Sequence, residues 1–481
     1  MPTRNAALLA ATLLLLLAAA MRIPGAGAEP LWTDEGHSLF IAEDPVERLL
    51  DNHHPPLYFA AVNVWSRLAG DSRVALRFLA IGASLLAFAA TYRLGRDWFG
   101  VPAALAAVAL LAVSDLNIEY SRQVRHYGWL VLGVTLSSLT FLRYLKTRQT
   151  RHLIPYVLSL AFLFYSHYLG FMLVPIHGLF GLVLWRGSWP DKRRLAVAWV
   201  ATAILYLPWV VAIRHLLILA QEGGLASRPG ALTSTADALR LVVDLLSDGQ
   251  TALVFGFAAV GVWAVLRRVR LDMVSLARLY VLATGVGLFV VMLLMNNWLT
   301  VLTPRTLVFL TPALFLLAGH GLSTLPPRPR GLLVALGVVV GLANTTVIQP
   351  RYNNDDAAAL LAEHDAPGDL VILETGFDDN AFAYEIEAAV DDPQLELIRT
   401  LVWTSSRYEI TPVVPQIEDE LETHDRVWVV QWLHAPQVMP YLDTPASGFE
   451  RAESYEVPIG APYDTEFSDP TIDVVLYERQ D

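Results

Sequence analysis

Long apolar stretches separated by short polar ones dominate the first 350 residues. A helix that crosses a membrane needs about 20 mostly apolar residues. The stretch from Ile154 to Trp185 is longer, is interrupted at Ser166–Gly170 and predicts two spans joined by a tight turn. Together with the single runs below, the pattern predicts about eleven transmembrane helices. The single runs lie near residues 6–21, 74–92, 101–116, 127–145, 195–213, 250–266, 279–296, 304–322 and 331–349.

The pattern changes after residue 350, where strand-like and helix-like segments alternate. LVILET, LELIRTLVW, RVWVVQWL and IDVVLYER are typical of strands, whereas NNDDAAALLAEHDAPGD and IEDELETH are typical of helices. This alternation predicts a small α/β domain. The sequence therefore predicts a polytopic α-helical membrane domain over residues 1–349 and an α/β domain over residues 350–481. The second domain has no Gly-rich phosphate loop or metal-binding motif, and no catalytic role is expected for it.

Composition and charge support this division. The chain is 54% hydrophobic with a mean hydropathy of +0.45, which is too apolar for an ordinary soluble protein of this length. Residues 350–481 hold 29 acidic residues and six arginines, a net charge of −23, while the first 349 residues hold 17 acidic and 28 basic residues, a net charge of +11. The acidic part would repel phosphate backbones, which argues against a nucleic-acid partner. The absence of cysteine excludes disulfides and thiolate nucleophiles.

Basic residues between the spans predict the orientation. Positive charge favours the cytoplasmic side, and the basic clusters all fall on one side of the predicted spans. The N-terminus is then inside, and the acidic C-terminal domain is outside a multi-pass cell membrane protein. The polar outer segments are residues 22–73, 115–128, 166–170, 215–249 and 296–305. Because the inner loops are short and basic, an active site is expected on the outer face.

Asp34 and Glu35 are adjacent acidic residues just after the first apolar run. One interpretation is structural: Thr33 or Asp34 would cap a short interfacial helix, whose first turn favours acidic side chains. The other is catalytic: one carboxylate would act as a general base, and its neighbour would orient it or bind a cation. Adjacent side chains point in different directions, so the two carboxylates are not expected to share a role.

The sequence HHPPLYF, residues 53–59, predicts the end of a loop followed by a helix. Proline disfavours helical geometry in the preceding residue and suits a first helical turn, so Pro56 should open the helix. His53 and His54 are either ordinary interfacial residues or contacts for a donor, an acceptor or a metal ion. HxH and HExxH spacings are absent here, so the signal for a metal is weak.

A third outer segment, NIEYSRQVRHY, contains Glu119, Arg122, Arg125 and Tyr127. Arg122 and Arg125 are three residues apart and are expected to share a helix face. Arginines on the outer side run against the positive-inside bias. They either extend to lipid headgroups or bind a phosphate, whose oxygens match the guanidinium fork. Glu119 is a further candidate contact for donor, acceptor or metal.

Two later polar residues, each near the end of a predicted span, are also candidates for the outer site. Arg305 begins the tenth predicted span, in LTPRTLVFLTP, and is a candidate for phosphate binding. His167 lies in the outer turn SHYLG and is either a packed histidine at a helix end or a contact in the outer site.

As a set, the motifs WTDEG, HHPPLYF, YSRQVRHY and TPRTLVFLTP resemble those of integral-membrane GT-C glycosyltransferases. This superfamily includes protein O-mannosyltransferases and the aminoarabinose transferase that modifies lipid A. The chain looks most similar to the bacterial and archaeal group described as RgtA/B/C/D-like or dolichyl-phosphate-mannose–protein mannosyltransferase-like. The resemblance covers roughly residues 1–350, and it rests on the set of motifs rather than on any one of them.

The resemblance implies a function. Such enzymes transfer a sugar, with inversion, from a dolichyl- or undecaprenyl-phosphate donor to a lipid, glycan or protein acceptor at the outer face. By position, Asp34 would be the base that deprotonates the acceptor hydroxyl, and Glu35 would support it or help to hold a cation.

The resemblance also assigns roles to the cationic residues. Arg122, Arg125 or Arg305, together with Tyr127, would bind the donor phosphate. His54 stands where the lipid A enzyme has a lysine, so it is expected to titrate or to bind a metal. A divalent cation held by Glu35 or His54 is the candidate cofactor, and no organic cofactor is expected.

Two other function classes fit the sequence less well. A transporter or flippase would place charges at the membrane midplane, usually within repeated halves. No internal repeat is visible, and the spans are mostly free of acidic residues. A non-catalytic scaffold would leave the motifs of the first outer loop unexplained.

Overall fold

The computed structural model describes residues 4–45, 48, 54–214, 240, 251–270, 272–296, 302–344, 354–375, 379–390, 393–397, 401–403, 408–410, 414–432, 436–458 and 471–480. The chain divides into two compact units. The first contains residues 4–26 and the described residues from 45 to 344. The second contains Gly27–Asp44 together with the described residues from 354 onward. The segment that follows the first apolar run therefore groups with the C-terminal part of the chain.

The first unit is built from helices. They are α1 (Arg4–Ala20), α3 (Leu57–Ala69), α4 (Arg73–Trp98), α5 (Val101–Ala112), α6 (Asp115–Ser121), α7 (Tyr127–Thr147), α8 (Leu153–Ser166), α9 (Leu173–Gly178), α10 (Trp189–Ala212), α11 (Thr251–Leu266), α12 (Met273–Leu282), α13 (Leu288–Met295), α14 (Pro304–Leu307), α15 (Thr311–Ser323) and α16 (Pro327–Asn344). Short 3₁₀ segments lie at Thr150–His152, Tyr168–Met172 and Val308–Leu310, and π-helical segments lie at Leu179–Leu184 and Ala283–Gly287.

Several of these helices are long and apolar enough to cross a membrane. Among the described residues there are five such helices, or six if the bent pair α5–α6 is counted as one span. The five are Arg73–Trp98, Tyr127–Thr147, Trp189–Ala212, Met273–Met295 and Pro304–Ser323, and shorter apolar helices lie at Arg4–Ala20, Tyr168–Leu184 and Leu253–Leu266. The predicted polytopic α-helical class is confirmed. The number of eleven spans and the orientation with the N-terminus inside stay predictions.

Close packing and hydrogen bonds join the helices. A Cβ atom on Gly261 would overlap Leu317 of α15, so α11 and α15 meet backbone to backbone, as small residues permit in membranes. A hydrogen-bonded chain links α8, α9 and α12 through His177. Its Nδ1 lies 2.7 Å from the Tyr156 hydroxyl, and its Nε2 lies 2.7 Å from the Tyr280 hydroxyl. Such pairing satisfies polar groups that would be costly in lipid.

The second unit is an α/β structure around a mixed sheet. The helices are α2 (Thr33–Glu43), α17 (Asn354–His364), α18 (Asp379–Ala389), α19 (Val414–Thr423) and α20 (Val438–Leu442). The sheet has the order β2-β1-β5-β7-β6, with β1 parallel to β2 and β5, and with β7 antiparallel to β5 and β6. The strands are β1 (Leu370–Glu374), β2 (Gln394–Leu397), β5 (Arg426–Gln431), β6 (Phe449–Pro458) and β7 (Thr471–Arg479), and a separate pair is β3 (Leu401–Trp403) with β4 (Tyr408–Ile410).

The predicted α/β class of this unit is confirmed, with two differences. The sequence LELIRTLVW predicts one strand, but it contributes to β2 and β3, which belong to different sheets. Strand β6 is not predicted by the sequence pattern, since FERAESYEVP is mostly exposed and polar. The interior strand β1 is buried on both faces, with Val371 and Leu373 in one apolar cluster and Leu370 and Ile372 in the other. A strand covered on both faces reads as a continuous apolar run, which is why LVILET is easy to recognise.

Candidate active site

A cluster of cationic and aromatic side chains forms where helices of the first unit begin or end. It draws on the chain before α3, the connection between α6 and α7, the break after α8, and the first turn of α14. We call it the arginine–histidine cluster. Its members are His54, Arg125, His126, Tyr127, His167 and Arg305.

The connection between α6 and α7 supplies three members and corrects one expectation. Helix α6 ends at Ser121, where Arg122 is the capping residue and its N–H bonds the Glu119 carbonyl at 3.1 Å. The next turn is tight, with the Arg125 N–H bonded to the Gln123 carbonyl at 2.7 Å. Arg122 and Arg125 therefore do not share a helix face, and that prediction is wrong. The periodicity of three residues applies only while the helix continues.

Arg122 lies against the chain that follows α1. Its Nη2 is 3.0 Å from the position that a Cβ atom would take on Gly25, whose φ is +73°. Glycine is the residue that adopts this φ without strain, and it also leaves room for the guanidinium. Arg122 is buried, and Glu119, one turn earlier on α6, is half-buried. Roles for these two residues in donor or acceptor binding stay predictions.

His126 lies at the centre of the cluster. Its ring centroid is 4.5 Å from that of His167, 5.7 Å from that of His54 and 5.1 Å from that of Tyr127. The ring also meets Tyr58 of α3 edge-on at 6.0 Å. Three imidazoles from three separate segments therefore converge on one place.

The environment of His126 favours a neutral ring. Its side chain is only 3% exposed, and this burial is the largest cause that lowers its pKa well below the usual value. Electrostatic interactions lower the pKa further, and they come from His167, Arg125, His54 and Arg305. Within the described part of the chain, its Nδ1 is buried and makes no hydrogen bond. Buried polar atoms normally have a partner, so an unpaired one calls for an explanation, such as a catalytic role or a bound water or ion. His126 thus offers a ring nitrogen to a ligand.

His167 has a defined orientation. It ends α8, and its Nδ1 accepts a hydrogen bond from the Leu169 N–H at 3.1 Å. Burial lowers its pKa to about 3, with further contributions from the positive charges of Arg125 and Arg305. In the neutral ring the proton is therefore on Nε2, since Nδ1 is the acceptor. The cluster gains an N–H donor at this position without gaining a charge.

Arg125 and Arg305 supply the permanent charge of the cluster. Arg125 is 4% exposed, and its Cζ lies 6.0 Å from the centre of the buried Tyr127 ring. Arg305 is half-buried in α14 and lies close enough to lower the pKa of both His126 and His167. Two guanidinium groups lie beside three imidazoles, and the guanidinium fork matches phosphate oxygens. The cluster is therefore suited to hold an anion such as a phosphate.

Asp34 and Glu35 belong to the second unit and lie in the first turn of α2. The helix begins at Thr33 after the capping residue Trp32, so neither Thr33 nor Asp34 is the cap, and that interpretation is wrong. Glu35 takes part in capping instead, because its Oε2 accepts the Trp32 N–H at 3.4 Å. Glu35 is fully buried, whereas Asp34 is half-buried. The half-buried carboxylate of Asp34 is the better placed of the two to meet a substrate.

Two predictions remain outside what the structure tests. His53 lies outside the described residues. In the described part of the chain, no group of three or more His, Asp or Glu side chains is arranged to hold a metal ion. A divalent cation with Glu35 or His54 as ligands stays a prediction.

His126 is not among the sequence-based candidates. It stands between Arg125 and Tyr127, which both are, and its role becomes visible only from its burial and its contacts with His54 and His167. The other five members of the cluster are all candidates from the sequence, by their outer position.

Comparisons with known proteins bear on the fold and on part of the cluster. Residues 53–213 match the family model described as "Dolichyl-phosphate-mannose-protein mannosyltransferase", about a third of the chain, and this range contains His54, Arg125, His126 and His167. No curated protein matches the chain significantly.

Solved structures cover nearly all of the chain. ArnT from Cupriavidus metallidurans in the apo state matches with a TM-score of 0.66 at 14% identity, over 97% of both chains. The same protein bound to undecaprenyl phosphate matches equally well. The chain has the same fold as ArnT, the GT-C fold. An oligosaccharyltransferase from Archaeoglobus fulgidus matches with a TM-score of 0.56 at 15% identity, over 88% of this chain and 68% of that one. At these identities the comparison establishes the GT-C fold and leaves the site residues to be argued from their chemistry.

Proposed function

We propose that the protein is a membrane glycosyltransferase that moves a sugar from a polyprenyl-phosphate donor to an acceptor hydroxyl, with inversion, at the outer face of the cell membrane. The observation that supports this most is the arginine–histidine cluster, which gathers two guanidinium groups and three imidazoles at helix ends of the GT-C fold. A lipid-linked donor has its phosphate at the membrane surface. The similar structure of ArnT with undecaprenyl phosphate supports a donor of this class.

The cluster would act on the leaving group. When the bond between sugar C1 and the phosphate oxygen breaks, the electron pair stays with the phosphate, which gains negative charge. Arg125 and Arg305 would stabilise that charge, and electrostatic stabilisation of this kind often contributes more to catalysis than any other single effect. Neutral His167 would donate its Nε2–H to a phosphate oxygen.

Asp34 would act on the acceptor. As the acceptor oxygen forms its bond to C1, the hydroxyl proton passes to the Asp34 carboxylate. Attack from the side opposite the phosphate inverts the configuration at C1. Glu35 would support this indirectly, since its carboxylate bonds the Trp32 N–H and so stabilises the first turn of α2.

The test is a transfer assay with purified protein in nanodiscs. A panel of polyprenyl-phosphate sugars is supplied, and consumption of each is followed by mass spectrometry. We expect wild-type protein to consume at least one donor, and Asp34→Asn to be slower by about 10²- to 10⁴-fold, as for loss of a general base. Asp419→Asn changes an exposed acid on α19 and is the matched control.

Two results would contradict the proposal. If wild-type protein consumed no donor in the panel yet moved lipid-linked sugars across the bilayer, the transporter class would be favoured. If Asp34→Asn kept full activity, Asp34 would not be the base. Unchanged gel-filtration behaviour and melting temperature would show that the variant is folded.

A further inference from the structure

The chain just before Asp34 is held at one residue by two side chains of the C-terminal sequence. The Leu31 N–H bonds Glu385 Oε1 at 2.8 Å, and Asn354 Nδ2 donates to the Leu31 carbonyl at 3.1 Å. All three residues are buried, with at most 2% of each exposed. Both polar groups of the Leu31 backbone are therefore fixed by α17 and α18. We call this contact the Leu31 clamp.

The helix that contains Asp34 is also seated on α18. A Cβ atom on Gly36 would come within 2.5 Å of the Ala381 backbone nitrogen and 2.8 Å of its Cα. No real side chain accepts such distances, so α2 and α18 are in backbone contact at this point. Trp32 packs against the apolar cluster that contains Phe382 and Trp428. Asp34 thus has a fixed point three residues before it and another two residues after it.

The clamp uses a group that is costly to bury. A carboxylate withdrawn from water loses its hydration, and a leucine at the same position of α18 would avoid that loss. Glu385 is 2% exposed and bonds a backbone N–H that lies 354 residues away in the sequence. Hydrogen bonds prefer a narrow range of distance and angle, so they set the position of a backbone more narrowly than non-directional apolar packing does.

We propose that Glu385 and Asn354 are positioning residues for Asp34, so that α17 and α18 of the second unit orient the catalytic base. This inference rests on the proposed function of Asp34. The acidic C-terminal part of the chain then has a role in the reaction, because it orients Asp34, although none of its own side chains reacts. A base displaced by about 1 Å can slow a reaction by about 100-fold, so the clamp should affect turnover.

The first test separates turnover from donor binding. Glu385→Ala and Asn354→Ala should lower kcat by about 10- to 100-fold and change the donor KM by less than about twofold. The donor phosphate is assigned to the first unit, which neither substitution touches. Glu385→Gln keeps a carbonyl oxygen for the Leu31 N–H and should retain kcat within about fivefold. Glu418→Ala, an exposed glutamate on α19, is the matched control.

The second test does not depend on activity. Hydrogen exchange of the amides in residues 31–43 should become faster in Glu385→Ala and stay at the wild-type rate in Glu385→Gln and Glu418→Ala. Gly36→Ala, which removes no hydrogen bond, should lower kcat by displacing α2. It provides a second route to the same effect if Glu385→Ala is poorly folded.

The outcomes distinguish the two proposals. Faster exchange with unchanged kcat would overturn the positioning role, because the clamp would hold the segment without affecting Asp34; whether Asp34 is the base is decided separately by Asp34→Asn. Unchanged exchange and unchanged kcat in Glu385→Ala would overturn the clamp itself. A fall in folded yield, with normal kcat per folded molecule, would assign Glu385 to stability alone.

Discussion

The two units differ in the sign of their candidate site residues and in how those residues are positioned. In the first, cationic and imidazole side chains converge from helix ends that are far apart in sequence, and no single element holds the arginine–histidine cluster. In the second, the two acidic residues lie side by side on α2, and that helix is in backbone contact with α18 at Gly36. The cations are placed by several helices, whereas the carboxylates are placed by one docked segment.

This difference separates the two proposed tasks. The cluster consists of groups whose chemistry suits an anion, while α2 offers a carboxylate that can take a proton. Because the two sets of residues are supported by different contacts, substitutions in one should leave the other intact. Donor affinity should follow the first unit, and turnover at saturating donor should follow the second.

The largest effect in the cluster is expected at Arg125. Arg125→Ala should weaken donor binding by about 10- to 150-fold, since hydrogen bonds to charged groups contribute about 1.5–3 kcal/mol. Arg125→Lys keeps the charge but loses the planar fork, so its donor affinity should lie between those of Arg125→Ala and the wild type. Affinity is measured by competition with undecaprenyl phosphate. Hydrogen exchange over residues 31–43 should not change.

Arg151→Ala serves as the control for charge, because Arg151 is exposed in the 3₁₀ segment after α7. It should bind the donor as the wild type does. Equal donor affinity of Arg125→Ala and wild type would remove the phosphate site from the cluster and, with it, the proposed division between the units.

A smaller effect is expected at His126. His126→Phe keeps an aromatic ring among its aromatic neighbours but removes the buried nitrogen. Loss of one neutral hydrogen bond should weaken donor binding by about two- to tenfold. The measurement is the donor KM at constant pH, with melting temperature as the check on folding. Tighter or unchanged donor binding would mean that the ring acts only in packing.

Much of the fold is predictable because its signals are local. Apolar runs predict the spanning helices, and LVILET predicts the interior strand β1, since both of its faces are buried. Arg125, His167 and Arg305 are candidates from the sequence by charge and outer position. Their convergence is not predictable, because α6 ends at Ser121 and turns the chain where a helical periodicity would have continued.

The Leu31 clamp has no signal in the sequence. Leu31 takes part through its backbone, which is the same for almost any residue, and Glu385 stands in an acidic helix whose composition is typical of a solvated face. Gly36 follows the acidic pair, and nothing in the surrounding sequence indicates that α18 lies against it. Contacts made across more than 300 residues depend on the tertiary structure, and only the structure reveals them.

A separate comparison concerns how the stability of the two units depends on pH. Glu374, at the end of β1, is fully buried and accepts the N–H groups of Gln437 and Val438 at 2.6 and 3.1 Å. Burial raises its pKa to about 7, partly opposed by these two bonds. Between about pH 4.5 and 7 the folded state keeps a proton that the unfolded state has lost. Stability therefore falls as pH rises through this window, by about 3 kcal/mol in all.

The histidines of the first unit should act in the opposite direction. The pKa values of His126 and His167 are lowered, so below about pH 6.5 the unfolded chain takes up protons that the folded cluster excludes. Stability there falls as pH falls. Melting of the full-length protein across pH 4–8 should show that Glu374→Gln removes the fall in stability between about pH 4.5 and 7, and that His126→Phe reduces the fall below about pH 6.5. Where the two windows overlap, the changes caused by the two substitutions should add. If the double variant departed from that sum, the two units would not titrate independently, and the separation of their tasks would lose its support.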